Sequence, residues 1–365
     1  MNNQPYSNFR ATMAIAIASF RSIIRSPSAV VFSLAFPLIF IVVFANIGGN
    51  AITVDVGVSK TCDTTGPVYQ VLKKVKMVNL ILSQSTTEMA SNLSKGNIDA
   101  IINIQKNNSG TPYTLNIQYS KAAAQKDAIL KSLLNDIFFR INSFGNTTPQ
   151  PVAEIKETTV NGRAYKYIDF ILPGMLGFSL LSSGVFGTAF VFLSLRLTLV
   201  IKRFFATPVK KYSIVLGEAL ARLVFSWIGA LFIILVGYYF FGFTLVNGFT
   251  TVVNMLILSA IGLIIFMGFG FIISGIAKNE STIPPLSNIV TLPQFLLSGT
   301  FFATTAFPSW LQSVSNILPL TYLNDAMRKV AFEGAGLGGV THQLLILGIW
   351  FIIVYAVAVK TFKWE

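Results

Sequence analysis

The sequence predicts a polytopic α-helical membrane protein, with six transmembrane helices and an α/β extracytoplasmic domain inserted after the first. Three observations carry that expectation. Of 365 residues, 53% are hydrophobic and only 11% are charged, against about 25% charged in an ordinary globular chain. Six long runs are almost free of charge. The formal net charge of +13 is concentrated in short segments between those runs.

Residues 1–28 are expected to form a cytoplasmic amphipathic helix lying at the membrane interface. On a helix, Arg10 and Arg21 fall about 20° apart and Arg25 about 60° from Arg10. Phe9, Met13, Ile17, Phe20 and Ile24 supply the apolar surface, and Pro27 breaks the chain. The first span is 29–49. It reads as a retained anchor, because a long segment precedes it and no A-x-A cleavage site follows.

Residues 50–167 change composition, holding 13 Lys/Arg and 8 Asp/Glu. Ile52 to Val58 alternates like a strand. Ser85-Thr-Thr-Glu88 has the form of a capping box opening a helix that ends near Gly96. Ile98 to Ile104 and Tyr113 to Tyr119 read as strands, and Ala122 to Ser143 as an amphipathic helix. The remaining five spans fall within 168–365: Phe170 to Leu195, Ile214 to Phe241, Phe249 to Ala277, Thr282 to Thr304, and Leu344 to Val359. Each approaches the roughly 20 apolar residues that cross a hydrocarbon core about 30 Å thick. Pro308 to Leu318 puts Trp310, Leu311, Val314, Ile317 and Leu318 on one helical face. It is too short to span, so 305–322 is expected to dip into the outer interface or re-enter the membrane.

With both termini cytoplasmic, the cytoplasmic segments carry twelve basic and three acidic residues, a net +9. The outer hairpin (Asp325, Arg328, Lys329, Glu333) is neutral, and the inserted domain carries +5. That asymmetry follows the positive-inside rule. A nucleic-acid surface would gather the basic residues on one folded face, so no nucleic-acid partner is expected.

Catalytic signatures are absent from the sequence. It has no G-x-x-x-x-G-K-S/T loop, no H-E-x-x-H and no G-x-S-x-G; its only histidine is His342 and its only cysteine Cys62. Neither a metal site nor catalytic residues are expected, and no cofactor is expected in this chain. Glu218 and Arg222 are the ionisable pair inside a span, spaced i,i+4 at its cytoplasmic end. Mutual neutralisation and helix capping explain them more simply than an ion relay, which favours deeper carboxylates. Gly177, Gly184 and Gly187, and the pair Gly270 and Ser274, read as close-packing positions or as a flexible path. N-x-S/T triplets begin at Asn92, Asn107 and Asn146; they matter only in a eukaryotic secretory setting.

The loop 195–213 carries a resemblance. Lys202-Arg203-Phe204-Phe205-Ala206-Thr207-Pro208 resembles the coupling segment of ABC-2 family permeases, the membrane subunits of ATP-binding-cassette exporters. Arg196 and Leu197-Thr198 depart from it, standing where that pattern has an acidic residue and Gly-Thr. Leu292 to Gly299, Phe307 to Leu311 and Leu318 to Arg328 resemble the family's fifth span and outer hairpin. The span, domain, five-span layout is similar to the subgroup with a large extracytoplasmic domain, and Gly96 to Ile104 resembles a helix-to-strand turn there.

The resemblance implies an exporter subunit in the cytoplasmic (inner) membrane of a prokaryote, without enzymatic activity of its own. Its partners would be a cytoplasmic ATPase binding ATP and magnesium, a second identical or sister permease, membrane lipid and an envelope partner. Arg196, Lys202, Arg203, Phe204, Phe205, Thr207 and Pro208 would form the coupling loop. Phe178, Leu181, Phe295, Ser298 and Gly299 would border the substrate path. Pro308, Trp310, Pro319 and Tyr322 would belong to the outer re-entrant element. Two alternatives stay open at this stage: a membrane-anchored binding or signalling protein, and an ion-coupled transporter.

Overall fold

The computed structural model describes residues 7–26, 31–47, 54–75, 78–82, 84–95, 97–107, 112–120, 130–135, 137, 153–160, 166–304 and 307–362. The chain divides into two compact units, one formed by Met1–Ile47 with Tyr167–Glu365 and the other by Gly48–Lys166.

The first unit is helical. Helix α1 (Asn8–Ile24) is followed by a π turn (Val31–Ala35) that leads into α2 (Phe36–Ile47). The described part of the second unit contains β1 (Val54–Val58), α3 (Pro67–Lys74), β2 (Val78–Ile81), α4 (Thr86–Lys95), β3 (Ala100–Lys106), β4 (Tyr113–Ser120) and β5 (Ala153–Val160). The chain then returns to the first unit with α5 (Tyr167–Ser182), a π turn (Ser183–Gly187), α6 (Thr188–Leu197), α7 (Val200–Phe205), α8 (Lys211–Phe241) and α9 (Phe249–Ile276). It finishes with α10 (Ile283–Leu297), α11 (Ser309–Ser315), α12 (Pro319–Arg328) and α13 (Thr341–Thr361).

Among the described residues, four helical stretches are long and apolar enough to cross a membrane: Tyr167–Leu197, Lys211–Phe241, Phe249–Ile276 and Leu337–Thr361. They coincide with four of the expected spans. The expected first span is described over 31–47 as a π turn plus α2. The expected fifth span differs: α10 has 15 residues, about 22 Å of helix, against a core of about 30 Å. The helix stops because Gly299 turns the backbone left-handed at φ +69°. Polar side chains of α5 and α12 then take over the carbonyls of the turn that follows.

Helix α9 is the hub of this unit, packing against α5, α6, α8, α12 and α13. Close approach needs small residues. A Cβ on Gly270 would lie 2.8 Å from the carbonyl oxygens of Gly184 and Val185, so the π turn of span two and α9 meet backbone to backbone. Leu180, Leu181, Val185, Phe192, Phe266 and Phe271 are buried around that contact.

In the second unit the strands form one mixed sheet in the order β2-β1-β3-β4-β5. The pairs β2–β1, β1–β3 and β4–β5 are parallel, and β3–β4 is antiparallel. Val54, Val56, Ile102, Ile104, Leu115 and Ile117 are buried in its core beside Val68 and Leu72 of α3. The Ser85–Glu88 capping box forms in full. Glu88 Oε2 accepts from the Ser85 N–H at 2.8 Å, and Ser85 Oγ accepts from the Glu88 N–H at 3.3 Å. Those bonds from Ser85 hold the Glu88 carboxyl below its ordinary pKa of 4.5. The helix expected at 122–143 lies mostly outside the described residues, which show helix at 130–135 and 137.

Candidate functional site

At one end of span two the chain reverses to form the basic loop. Helix α6 ends at Leu197. Thr198 Oγ1 donates back to the Ser194 carbonyl at 2.7 Å, and Leu199 takes φ +56°, a left-handed conformation costing a non-glycine residue about 1–3 kcal/mol. That turn starts α7, whose Ile201 is buried and whose Phe204 is partly buried against the core. Lys202 and Arg203 stand exposed on its other side. Thr207 Oγ1 donates to the Phe204 carbonyl at 2.6 Å, and exposed Pro208 leads towards α8. The side chain of Phe205 lies outside the described residues.

Arg196 has a different task from its neighbours. Its Nη2 donates to the Ala277 carbonyl at 2.6 Å, where α9 ends and its carbonyls gather partial negative charge. The residue that departs from the family pattern therefore fastens the loop's root to α9, leaving Lys202 and Arg203 as the outward charges.

One layer in from the loop, Glu218 and Arg222 form an ion pair at 2.6 Å with side chains 3% and 5% exposed. Arg222 also donates to the Ser183 carbonyl at 3.2 Å and the Gly187 carbonyl at 2.6 Å. A π turn leaves such carbonyls without their usual helical donors. Mutual neutralisation is thus present, whereas the expected helix capping is not: the guanidinium spends its donors on the wide turn of span two. Gly187 makes this possible, since a Cβ there would sit 1.8 Å from Arg222 Nη1.

The proposed path residues fall into two environments. Phe178 of α5 and Phe295 of α10 are in contact, with ring centroids 4.0 Å apart. Phe36 and Phe40 of α2 join them at 5.2–6.2 Å, and Phe301 lies 4.8 Å from Phe295. Leu181 is fully buried in the helical core. Ser298 and Gly299 belong to the turn after α10 through their carbonyls. Asn324 Nδ2 donates to Ser298 O at 3.1 Å and Thr300 Oγ1 at 3.3 Å; Arg328 donates to Gly299 O and, at 3.0 Å, to Phe170 O. The Arg328 guanidinium lies 3.7 Å over the Phe170 ring, a cation–π contact. Tyr167 adds a bond to Phe301 O at 2.8 Å.

Asn324, Arg328 and Tyr167 were not singled out from sequence. Their i,i+4 spacing in an amphipathic stretch is a local signal that could have flagged Asn324 and Arg328.

In the segment expected to re-enter the membrane, Pro308 precedes α11 and Pro319 opens α12. Trp310 is 69% and Ile317 63% exposed, while Ser315 is buried and donates to Leu297 O. Tyr322 donates to Asn316 O at 2.6 Å. The exposed face is mixed, with Ser309, Ser313 and Asn316 beside Trp310, Val314 and Ile317. On α1, Arg10, Arg21 and Arg25 are exposed, as are Phe9, Met13, Ile17 and Ile24. The contact with α8 is made instead by Thr12, Ile15, Ala16, Phe20 and Ile23. A Cβ on Gly217 would lie 2.7 Å from the Ile15 side chain.

The structure thus joins a helical body, four of whose stretches are long and apolar enough to cross a membrane, to a basic loop rooted between two of them. The chain belongs to the ABC-2 family of transporter proteins, whose family model matches residues 27–360. It is 26% identical to ABC transporter G family member 20 of Dictyostelium discoideum over 95% of this chain and 50% of that protein. The chain thus spans about half the length of that relative. It is 22% identical to the Inner membrane transport permease YadH of Escherichia coli K12 over 55% of this chain and 75% of YadH. It is also 18% identical to the protein of the same bacterium named Probable multidrug ABC transporter permease YbhS, over 99% of this chain and 98% of YbhS.

Proposed function

We propose that this chain is the permease subunit of an ABC exporter. It moves a hydrophobic or amphipathic substrate of the drug, antibiotic or lipid kind out of the cytoplasm or inner leaflet. A separate cytoplasmic ATPase binds ATP and magnesium and supplies the energy; two permeases, identical or sister chains, complete the membrane part. In this reading 31–47 and α10 with its turn complete six crossings, both termini are cytoplasmic, and 50–167 lies outside the cytoplasmic membrane of a prokaryote, where it meets an envelope partner.

The observation that carries the reading is α7: a short helix anchored inward by Ile201 and Phe204, presenting Lys202 and Arg203 outward. Its root is tied through Arg196 to α9, the hub of the helical body. Force applied to such a helix reaches the spans through packed side chains. The name of YbhS supports a drug-like substrate, and the apolar side chains packed around Phe178 and Phe295 are compatible with one.

The test is co-purification from native membranes in mild detergent. The wild-type chain is expected to bring down an ATPase subunit, and Lys202→Glu with Arg203→Glu to lose it while the permease stays folded, because both side chains are exposed. Recovery of the wild-type chain without any ATPase overturns the reading. Transport abolished by an uncoupler at constant ATP would favour ion coupling instead.

A further inference from the structure

Helix α8 has 31 residues, about 46 Å of helix, whereas the hydrocarbon core is about 30 Å. Placing its Gly242 end at one membrane boundary leaves roughly its first ten residues at headgroup level. At the inner edge of that zone, where Leu220 is the tenth residue of α8 and Val224 the fourteenth, α1 and α8 flank an open groove of about 460 Å³. Ile17 and Phe20 line it from α1 and Leu220 and Val224 from α8, with Arg21 and Arg25 on its wall. Both arginines are exposed and have no acidic partner among the described residues. The carboxylate of α8 at this level, Glu218, is buried against Arg222 and unavailable to them. Above Val224 the exposed side chains Ile228, Phe232 and Leu235 continue one apolar track along α8.

We infer that this groove is a binding site for one anionic phospholipid, its phosphate held by Arg21 and Arg25 and one acyl chain laid along Leu220, Val224 and Ile228. Two cations beside an apolar trough match an anionic headgroup with a chain attached. A free anion would leave the trough unused, and a zwitterionic lipid would place its own cation against the arginines. This site deepens the interfacial reading of α1, on which it rests, and makes the lipid a wedge between α1 and the span behind it.

The experiment uses the full chain, delipidated in mild detergent and titrated with phosphatidylglycerol or phosphatidylcholine, with bound lipid counted by native mass spectrometry. One phosphatidylglycerol per chain is expected to persist where phosphatidylcholine is lost. Arg21→Gln with Arg25→Gln should weaken retention roughly tenfold or more, as removal of two basic residues from an anionic headgroup predicts. Val224→Trp, which fills the groove and keeps both charges, should weaken it as well. Equal retention of the two lipids, or unchanged retention in Val224→Trp, overturns the inference; if the arginine variant fails to fold, Val224→Trp decides alone. ATPase recovery is scored on the same samples. Lipid lost in the groove variants with ATPase retained supports the groove, and ATPase absent from the wild type with selective lipid retained refutes the coupling reading and leaves the groove standing.

Discussion

Arg222 is a cation surrounded by protein, and it stays there because its three contacts are mutually dependent. Glu218 neutralises it, and the carbonyls of Ser183 and Gly187 take the donors the carboxylate leaves over. Removing one partner of such a pair strands a charge, typically at about 3–5 kcal/mol, whereas replacing both by apolar groups is often near neutral. Glu218→Leu is therefore expected to lower the thermal midpoint in detergent sharply, and Glu218→Leu with Arg222→Met to recover most of it. A double-mutant cycle on melting curves checks this; additive losses would refute it. Gly187→Ala should resemble the single variant, because its Cβ would overlap the guanidinium.

At the same scale, the Glu88 carboxyl is held below 4.5 by its bonds to Ser85. Its contribution to α4 is fully present above 4.5 and is lost as pH falls through the lowered value. Amide exchange at 88–90 is expected to quicken over that acid range in the wild type and to be pH-insensitive, beyond the intrinsic rate, in Glu88→Gln.

At the level of elements, the turn after α10 is an irregular segment braced by three side chains. Asn324 and Arg328 project from successive turns of α12 and, with Tyr167, hold the carbonyls of Ser298, Gly299 and Phe301. Unpaired backbone at membrane depth is costly, so such loops persist only where protein satisfies them. Arg328→Gln, which loses the fork of donors and the contact with Phe170, should raise protease sensitivity and hydrogen exchange across 298–304 while leaving α9 and α13 protected. Uniform loosening of every helix would show that Arg328 supports the whole bundle instead.

This scale also shows what a sequence can and cannot disclose. Spans such as Phe249–Ile276 are legible because length and apolarity are local properties. Strands β1, β3 and β4 are legible because a half-buried strand alternates. The edge strands escaped: β2 has four residues, and Ala153–Val160 is mostly polar with four exposed positions in its middle, so neither alternates clearly. The basic loop was visible as Lys202-Arg203 with Thr207-Pro208. The inward bond of Arg196 was not, because Ala277 is 81 residues away. The end of α10 escaped for the same reason, its partners lying on α12 and α5.

For the whole molecule, orientation is the decisive property. Cys62 is the only cysteine, partly buried in the sheet unit, where burial pushes its thiol pKa above the ordinary 9.0. An impermeant maleimide is expected to label it in intact spheroplasts, slowly near neutrality and faster as pH rises, since the thiolate reacts. Labelling only after lysis would invert the topology. Under the proposed orientation the basic loop and α1 are both cytoplasmic, so the lipid groove and the proposed ATPase contact would face the same leaflet.

The π turn at Ser183–Gly187 has a consequence of phase. A π turn accommodates one residue more than an α-helix would need, and each residue of an α-helix turns the chain by about 100°. Everything downstream in span two, including Arg196 and the root of α7, therefore points about 100° away from where an uninterrupted helix would aim it. Deleting Val185 should restore a plain helix and swing the basic loop off its mark while leaving every charge in the loop intact. Retained ATPase recovery in that deletion would show that the loop's direction is set elsewhere. The aim of the basic loop is set 8 to 12 residues before it begins.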